Sequence, residues 1–329
     1  MQRPPRDEDP ADVLVVGAGL AGAAAARSLA DAGMRVRVLD KGRGPGGRLS
    51  SRRTPTGAFD HGAGVVQATT PAFRAWLEME TRAGRAAPWA GGWVGVPGMN
   101  ALLAGLLDGL DVRWSAAVAA LRREVAGWSA LGADGTVIAM APRLVLAVPA
   151  PQAVALLLTG GAGMAAEGLV EALGAVRYVP AWAALIEVEP GSPLGGPTKG
   201  HDGIVDTLHR QADKPGRADV GHWVLVATAS WSEVHLEDSP DVISPKLSAA
   251  FIAATGIMDG AIRHVSAHRW RYARPLNPCD PAPFEGQGLF VAGDAFGPDD
   301  SGDLAPAERA WHSGMAAAAR LRAAGQPKS

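Results

Sequence analysis

The sequence predicts an α/β protein in which a parallel-sheet lobe is interleaved with an antiparallel-sheet α+β lobe. Three observations lead there. Residues 13–40 read as a buried strand, a glycine turn, a helix and a second strand ending in an acid. Near the other end, Leu289-Phe290-Val291-Ala292 is a short apolar strand that runs into Gly293-Asp294. Between them, residues 182–188, 205–210, 222–227 and 262–272 alternate or run apolar at strand period. Because parallel-sheet motifs recur near the beginning, middle and end, that lobe should be discontinuous: 10–68, 92–150 and 285–325. The antiparallel lobe then takes 69–91 and 151–284, and 1–9 and 326–329 are disordered ends.

Each part of the first unit has a physical job. Val13, Leu14, Val15 and Val16 form an apolar run of the kind found in a central parallel strand covered on both faces. Gly17, Gly19 and Gly22 follow at the G-x-G-x-x-G spacing. Gly17 permits the tight turn, Gly19 lets backbone approach a pyrophosphate, and Gly22 lets the helix close on the strand. The helix runs from Leu20 to about Ala32 and stops at Gly33, so its free N–H groups, around Leu20 and Ala21, face the phosphates. Asp40 ends the strand 35–39, where a carboxylate accepts hydrogen bonds from ribose hydroxyls, and Lys41 follows at the same edge. A bare glycine pattern is weak evidence. With strand, helix and acid in register it indicates a Rossmann-type dinucleotide site.

The next loop indicates which dinucleotide. Gly44, Gly46, Gly47 and Arg48 add a second phosphate-side feature that a nicotinamide dehydrogenase does not need. Arg48 can add charge to a pyrophosphate resting on the helix N-terminus. The distant Gly293-Asp294 agrees, since in FAD enzymes of this architecture that aspartate binds the ribityl chain. The following helix, from about Ala307 through Trp311, His312 and Ser313 to Leu321, points its positive end at the flavin. FAD is therefore the expected cofactor, and an NAD-dependent dehydrogenase with incidental glycines is the rival.

The rest of the chain reads more coarsely. Residues 69–82 have helical spacing, with Phe73, Trp76 and Leu77 on one face. Residues 91–97 are glycine-rich and extended, and 99–107 suggest another helix. Residues 111–114 make a short strand, third in the nucleotide sheet. Residues 118–139 suggest an antiparallel meander turning near 125–127 and 134–135, and 144–147 return to the main sheet. Helices are expected over 152–158, 164–173 and 245–255. The glycine-rich stretch 191–203 reads as a surface loop, with a mobile lid as the sharper alternative.

KGRGPGGRLSSRR (41–53), FDHGAG (59–64), WVGVPGMNALL (93–103), SWSEVHLE (230–237), AHRWRYA (267–273) and ERAWHSGMAAA (308–318) together resemble the bacterial renalase-like FAD-dependent oxidoreductases. These are small relatives of the flavin-containing amine oxidases. The resemblance extends from Val13 to about Leu321. It implies a lobe of the amine-oxidase/hydroxybenzoate-hydroxylase kind, and it places Val118 where the family's backbone contacts adenine. The departures concern the substrate. Relatives commonly read Gly-Ala-Gln-Tyr-Phe where this chain has Gly62-Ala63-Gly64-Val65-Val66. Thr207 falls where a tryptophan is common, and Val226 where a histidine is common. Losing a hydrogen-bond partner costs a substrate roughly 1–3 kcal/mol, so a polar renalase-type donor would feel these changes and an apolar one would not.

Composition excludes other classes. The chain has 329 residues, 47% of them hydrophobic, enough for a sizeable core. No apolar run approaches the ~20 residues of a bilayer span. The net charge is -2 with both signs interspersed, so no nucleic-acid footprint appears. One cysteine, Cys279, excludes an intramolecular disulfide and suits a reducing compartment. The polar N-terminus lacks the apolar core of a secretory signal, so the expected location is cytoplasmic.

No His/Cys/Asp/Glu cluster has metal-ligand spacing. The eight histidines are scattered; His312 is the most interesting, because its helix is expected to start beside the flavin. Cys279 lies in a turn-rich loop before the Gly-Asp strand, and non-covalent FAD is the expected form. The pocket candidates are Val65, Trp182, Thr207, Val226, Trp270, Tyr272, Trp311 and His312. Of the two tyrosines, Tyr272 is the one on the strand expected to face the flavin. The reading is an FAD-dependent oxidase that removes a hydride from a carbon beside nitrogen, in a dihydronicotinamide or amine, with dioxygen as the expected acceptor. The rivals are a flavin desaturase or oxidoreductase acting on an apolar substrate in a specialised pathway, and a flavin-binding protein without turnover.

Overall fold

The computed structural model describes residues 10–163, 166–193, 203–279, 287–296 and 304–324. Its first strands are β1 (Val13–Val16), β2 (Val36–Leu39), β3 (Ser51–Arg53), β4 (Ala58–Asp60), β5 (Ala86–Trp89), β6 (Gly92–Gly95), β7 (Asp111–Arg113) and β8 (Ala120–Glu124). Then follow β9 (Gly127–Leu131), β10 (Val137–Ala141), β11 (Arg143–Leu146), β12 (Tyr178–Val188), β13 (Val205–Arg210), β14 (His222–Ala227), β15 (Ile262–Pro275) and β16 (Leu289–Val291). The helices are α1 (Leu20–Asp31), α2 (Pro71–Arg82), α3 (Ala104–Leu107), α4 (Ala150–Thr159), α5 (Glu167–Gly174), α6 (Ala229–Val234), α7 (Pro240–Thr255) and α8 (Pro306–Ala324).

Five strands form the parallel nucleotide sheet in the order β16-β11-β1-β2-β7. All four residues of β1 are buried, as its apolar run requires of a strand covered on both faces. Helix α1 packs on one face together with α8. A Cβ at Gly314 of α8 would lie 2.2 Å from the Ala21 carbonyl oxygen, so glycine is what lets the two helices touch backbone to backbone. The meander appears as β8, β9 and β10, an antiparallel sheet of its own.

The lobes divide differently from expectation. The α2 residues Phe73, Trp76 and Leu77 and the hairpin residues Ala86 and Val94 share one core with α1 and α8. On the other face of the sheet, Ala153, Leu157, Leu169 and Leu173 of α4 and α5 pack with Leu14, Val16, Leu144 and Leu146. Segment 69–91 therefore shares the core on the α1 and α8 side of the nucleotide sheet, and α4 and α5 share the core on its other side. The second lobe narrows to the antiparallel sheet β13-β14-β12-β15 and the helices between its strands.

Three local differences have physical causes. Residues 99–103 form a 3-10 turn, not an α-helix, which stacks the fully buried Met99 and Leu102 at its three-residue period. Helix α7 starts at Pro240 rather than Pro245. Pro240 occupies the first turn, and the Ser244 hydroxyl donates to the Pro240 carbonyl at 2.7 Å just before the internal Pro245. Helix α6, unread in the sequence, starts where the Thr228 hydroxyl accepts from Trp231 N. Most of the glycine-rich loop 191–203 and residues 164–165 lie outside the described residues. Among those described, no helix is long and apolar enough to cross a membrane.

A candidate dinucleotide and substrate site

The glycine turn behaves as its spacing dictates. Gly17 has φ +106°, and a Cβ there would lie 2.4 Å from the Ala147 carbonyl oxygen. A Cβ at Gly22 would lie 1.9 Å from the Gly17 oxygen, so any side chain would force α1 off the strand. Gly19 is different: a Cβ there would meet nothing within 4 Å, while a Cβ on Gly47 would lie 3.2 Å from the Gly19 Cα, so the two loops pass close together. The turn is closed beneath and open above, with Leu20 and Ala21 beginning the helix there. That is the shape a pyrophosphate fills.

Asp40 lies just past the end of β2, as expected, but both oxygens already hold backbone. Oδ2 accepts from Ala18 N and Oδ1 from Gly42 N, each at 2.6 Å. The carboxylate thus pins the turn, and each oxygen keeps a second lone pair for a hydroxyl. Lys41 follows it, exposed at the same edge. The loop after β7 is tied to the same place, with Ala116 N donating to Asp40 O at 2.9 Å and Ser115 N to Gly42 O at 2.7 Å. That brings half-buried Val118 along the edge of the site.

Arg48 and Asp294, 246 residues apart, meet as a two-pronged pair. Nη1 donates to Oδ2 at 2.5 Å and Nη2 to Oδ1 at 2.6 Å. Arg48 Nη1 also reaches the carbonyls of Tyr272 and Ala273, at 3.4 and 3.3 Å. The pair therefore joins the glycine loop, the Gly-Asp turn and the end of β15. Gly293, at φ +157°, donates its N–H to the Ser313 hydroxyl at 3.1 Å. Ser313 is fully buried and holds the turn that presents Asp294. Tyr178, overlooked in the sequence, packs edge-on against Tyr272 with ring centres 5.5 Å apart. Burial and the neighbouring Asp294 raise its phenol to about 12, so it stays protonated. Cys279 lies nearby, its N–H donating to Ala295 O at 2.6 Å.

Strand register divides the pocket candidates by face. Opposite residues in antiparallel strands share a face, and the pairs Leu185↔Val224, Ala183↔Val226, Thr207↔Val226 and Ala183↔His268 place these side chains together. Phe59 of the nucleotide lobe packs against Leu185, Val224 and Val226, so this face meets that lobe. Trp270 is on it too: its indole N–H donates to His61 O at 2.7 Å, and its ring stacks on the His61 ring at 5.3 Å. His268 completes the cluster, edge-on to His61 at 4.7 Å. Burial, then Arg52 for His61 and His61 for His268, push both imidazoles down to about 4, so they are neutral near pH 7. Residues 62–65, with Val65 among them, are half-buried beside this cluster.

Three candidates do not belong to that face. Trp182 is fully buried on the opposite side of the sheet, under α6 and α7, with its indole N–H on His235 O at 3.0 Å. The one-residue alternation of a strand sends it there. Trp311 packs with Phe73 and Trp76 between α8 and α2, at 5.6 and 6.1 Å. The His312 ring nitrogen lies 2.8 Å from the Thr70 hydroxyl, which caps α2. Beside it, fully buried Glu308 accepts from the N–H and hydroxyl groups of both Thr69 and Thr70. Burial raises its carboxyl pKa, but these bonds outweigh that and hold it below the usual range. Glu308 and His312 thus fasten the start of α8 to α2.

Comparison with known proteins agrees with this architecture. A family model of NAD(P)-binding Rossmann-like domains matches residues 15–79. The chain is 29% identical to the bifunctional tRNA 5-methylaminomethyl-2-thiouridine biosynthesis protein MnmC of Ralstonia nicotianae, over 41% of this chain and 30% of that one. It is 47% identical to the hydroxyneurosporene desaturase of Rhodobacter capsulatus, over 17% of this chain and 11% of that one. It therefore spans less than a third of the length of these curated relatives. Among solved structures, a putrescine oxidase variant superposes with a TM-score of 0.66 at 13% identity, covering 96% of this chain and 99% of that one. Cyclohexylamine oxidase from Brevibacterium oxydans gives 0.64 at 13% identity, with the same coverage. The chain thus carries a Rossmann-like domain, with the glycine turn at its first strand. Its whole-chain architecture, a parallel sheet with further antiparallel sheets, is the one found in these amine oxidases.

Proposed function

We propose that the protein is an FAD-dependent oxidoreductase of renalase-like type, which removes a hydride from a carbon beside nitrogen in a dihydronicotinamide or an amine. The observation that carries the reading is the convergence of the open glycine turn, Asp40 and the Arg48–Asp294 pair in a chain with amine-oxidase architecture. These residues suit FAD held without a covalent bond: Gly19, Leu20, Ala21, Gly47 and Arg48 for the pyrophosphate, Asp40 and Lys41 for the adenosine ribose, Val118 beside the adenine, and Asp294 on the ribityl chain. FAD supplies a ring that accepts the hydride. The protein's own part is placement. Neutral His61 and His268, Trp270 and residues 62–65 form a wall that orients the donor and excludes water. Dioxygen is the proposed electron acceptor.

Anaerobic mixing of the purified protein with dihydronicotinamide isomers and with amines tests the substrate class. Bleaching of the flavin by one of these donors is the expected result. A flavin that none of them reduces would remove the donor assignment while leaving the cofactor reading in place.

A further inference from the structure

The proposed pocket has a polar group that comes from an unexpected strand. Gly64 stands where relatives commonly carry glutamine, yet nothing in its backbone demands glycine, since its φ lies outside the left-handed region. A neighbour demands it instead. A Cβ on residue 64 would lie 2.8 Å from Cδ2 and 2.9 Å from Nε2 of His209. His209 is on β13, two residues beyond Thr207 and so on the same face, the one that meets the nucleotide lobe. Its ring is half-buried, lies edge-on to Trp89 at 5.6 Å, and makes no hydrogen bond of its own among the described residues. Trp89 is itself fixed by its indole N–H on Asp213 O at 2.8 Å.

We propose that His209 is the specificity-determining residue of this pocket. Its ring occupies the place of a side chain at position 64 and hydrogen-bonds an uncharged polar group, such as a carboxamide, on the hydride donor. This rests on the flavin reading above. Burial, then Lys214, lower the basicity of the ring, so it offers one N–H donor and one lone pair, the complement of an amide. An ammonium group would find a poor reception. Lys214, whose charge acts on the ring, and Arg217 are two buried cations that share a single carboxylate, Asp60. The apparent loss of polarity at Gly64 is thereby a relocation to another strand.

Five proteins test this: the parent, Gly64→Gln, His209→Ala, His209→Gln and the double variant Gly64→Gln/His209→Ala. If the two side chains compete for one place, Gly64→Gln lowers the melting temperature when His209 is present, and at least half of that loss disappears in the double variant. The second readout is the flavin absorbance change on titrating the FAD-loaded proteins with nicotinamide and with its apolar analogue 3-methylpyridine. The parent should prefer nicotinamide by about tenfold, the worth of one hydrogen bond. His209→Ala should lose the preference, and His209→Gln should keep part of it. An equal melting loss from Gly64→Gln with and without His209, or an undiminished preference in His209→Ala, overturns the proposal. A protein that takes up no FAD would defeat the flavin reading instead, and the melting comparison would still decide whether the ring fills the place of residue 64.

Discussion

Replacing Asp60 by alanine should destabilise the protein by roughly 3–5 kcal/mol, the range for removing one partner of a buried ion pair. Asp60 is 1% exposed and joins the two lobes. It accepts from Lys214 Nζ at 2.9 Å, from Arg217, from the Ser51 hydroxyl at 2.6 Å and from Met99 N at 3.0 Å. Burial alone would raise its carboxyl pKa; Lys214 and Arg217 outweigh burial and hold it below the ordinary range. Without Asp60, two cations remain in the interior with no counter-charge. Asp60→Asn keeps the shape and loses the charge, so it should cost nearly as much. Because the folded pKa is depressed, this contribution is fully present above about pH 4 and fades as the pH falls through the folded value. Urea unfolding of parent and variants measures the loss, and a difference below about 1 kcal/mol would mean that the cluster does not bind the lobes together.

The second large effect is expected at the Arg48–Asp294 pair. Arg48→Ala and Asp294→Ala should each raise the dissociation constant for FAD about ten- to a hundredfold, as removal of a charge-assisted hydrogen bond worth ~1.5–3 kcal/mol implies. Since the two groups bond each other through both prongs, either variant also leaves its partner misplaced. The double variant should therefore lose less than the sum of the single losses. Fluorescence titration of the three proteins with FAD reads these constants. If every variant binds FAD like the parent, the pair lies outside the cofactor site.

What was legible in the sequence was local. The strand, glycine turn and helix at 13–31 are dictated by neighbours within a few residues, and structure and pattern agree there almost residue by residue. The order of the parallel strands was legible for the same reason, whereas the short strands β3, β4 and β5 and helix α6 were not. Pairings between distant residues were not. Nothing in the spacing of Gly64 and His209 shows that one leaves room for the other. Nor does anything in the sequence bring Asp60 to Lys214, 154 residues away, or to Arg217 just beyond it, which meet it only when the lobes close. Trp182 shows a milder failure. Alternation in β12 marks two faces but does not say which is covered by helices. One clue was available: His209 follows Thr207 at the strand period, so a pocket reading of Thr207 carried His209 with it.

The central claim is that this chain holds FAD without a covalent bond, and acid precipitation of the purified protein tests it most directly. The account predicts a yellow protein that releases intact FAD, about one per chain, into the supernatant, leaving a colourless pellet. A colourless protein that cannot be reconstituted with FAD, or a flavin that stays with the pellet, would contradict it.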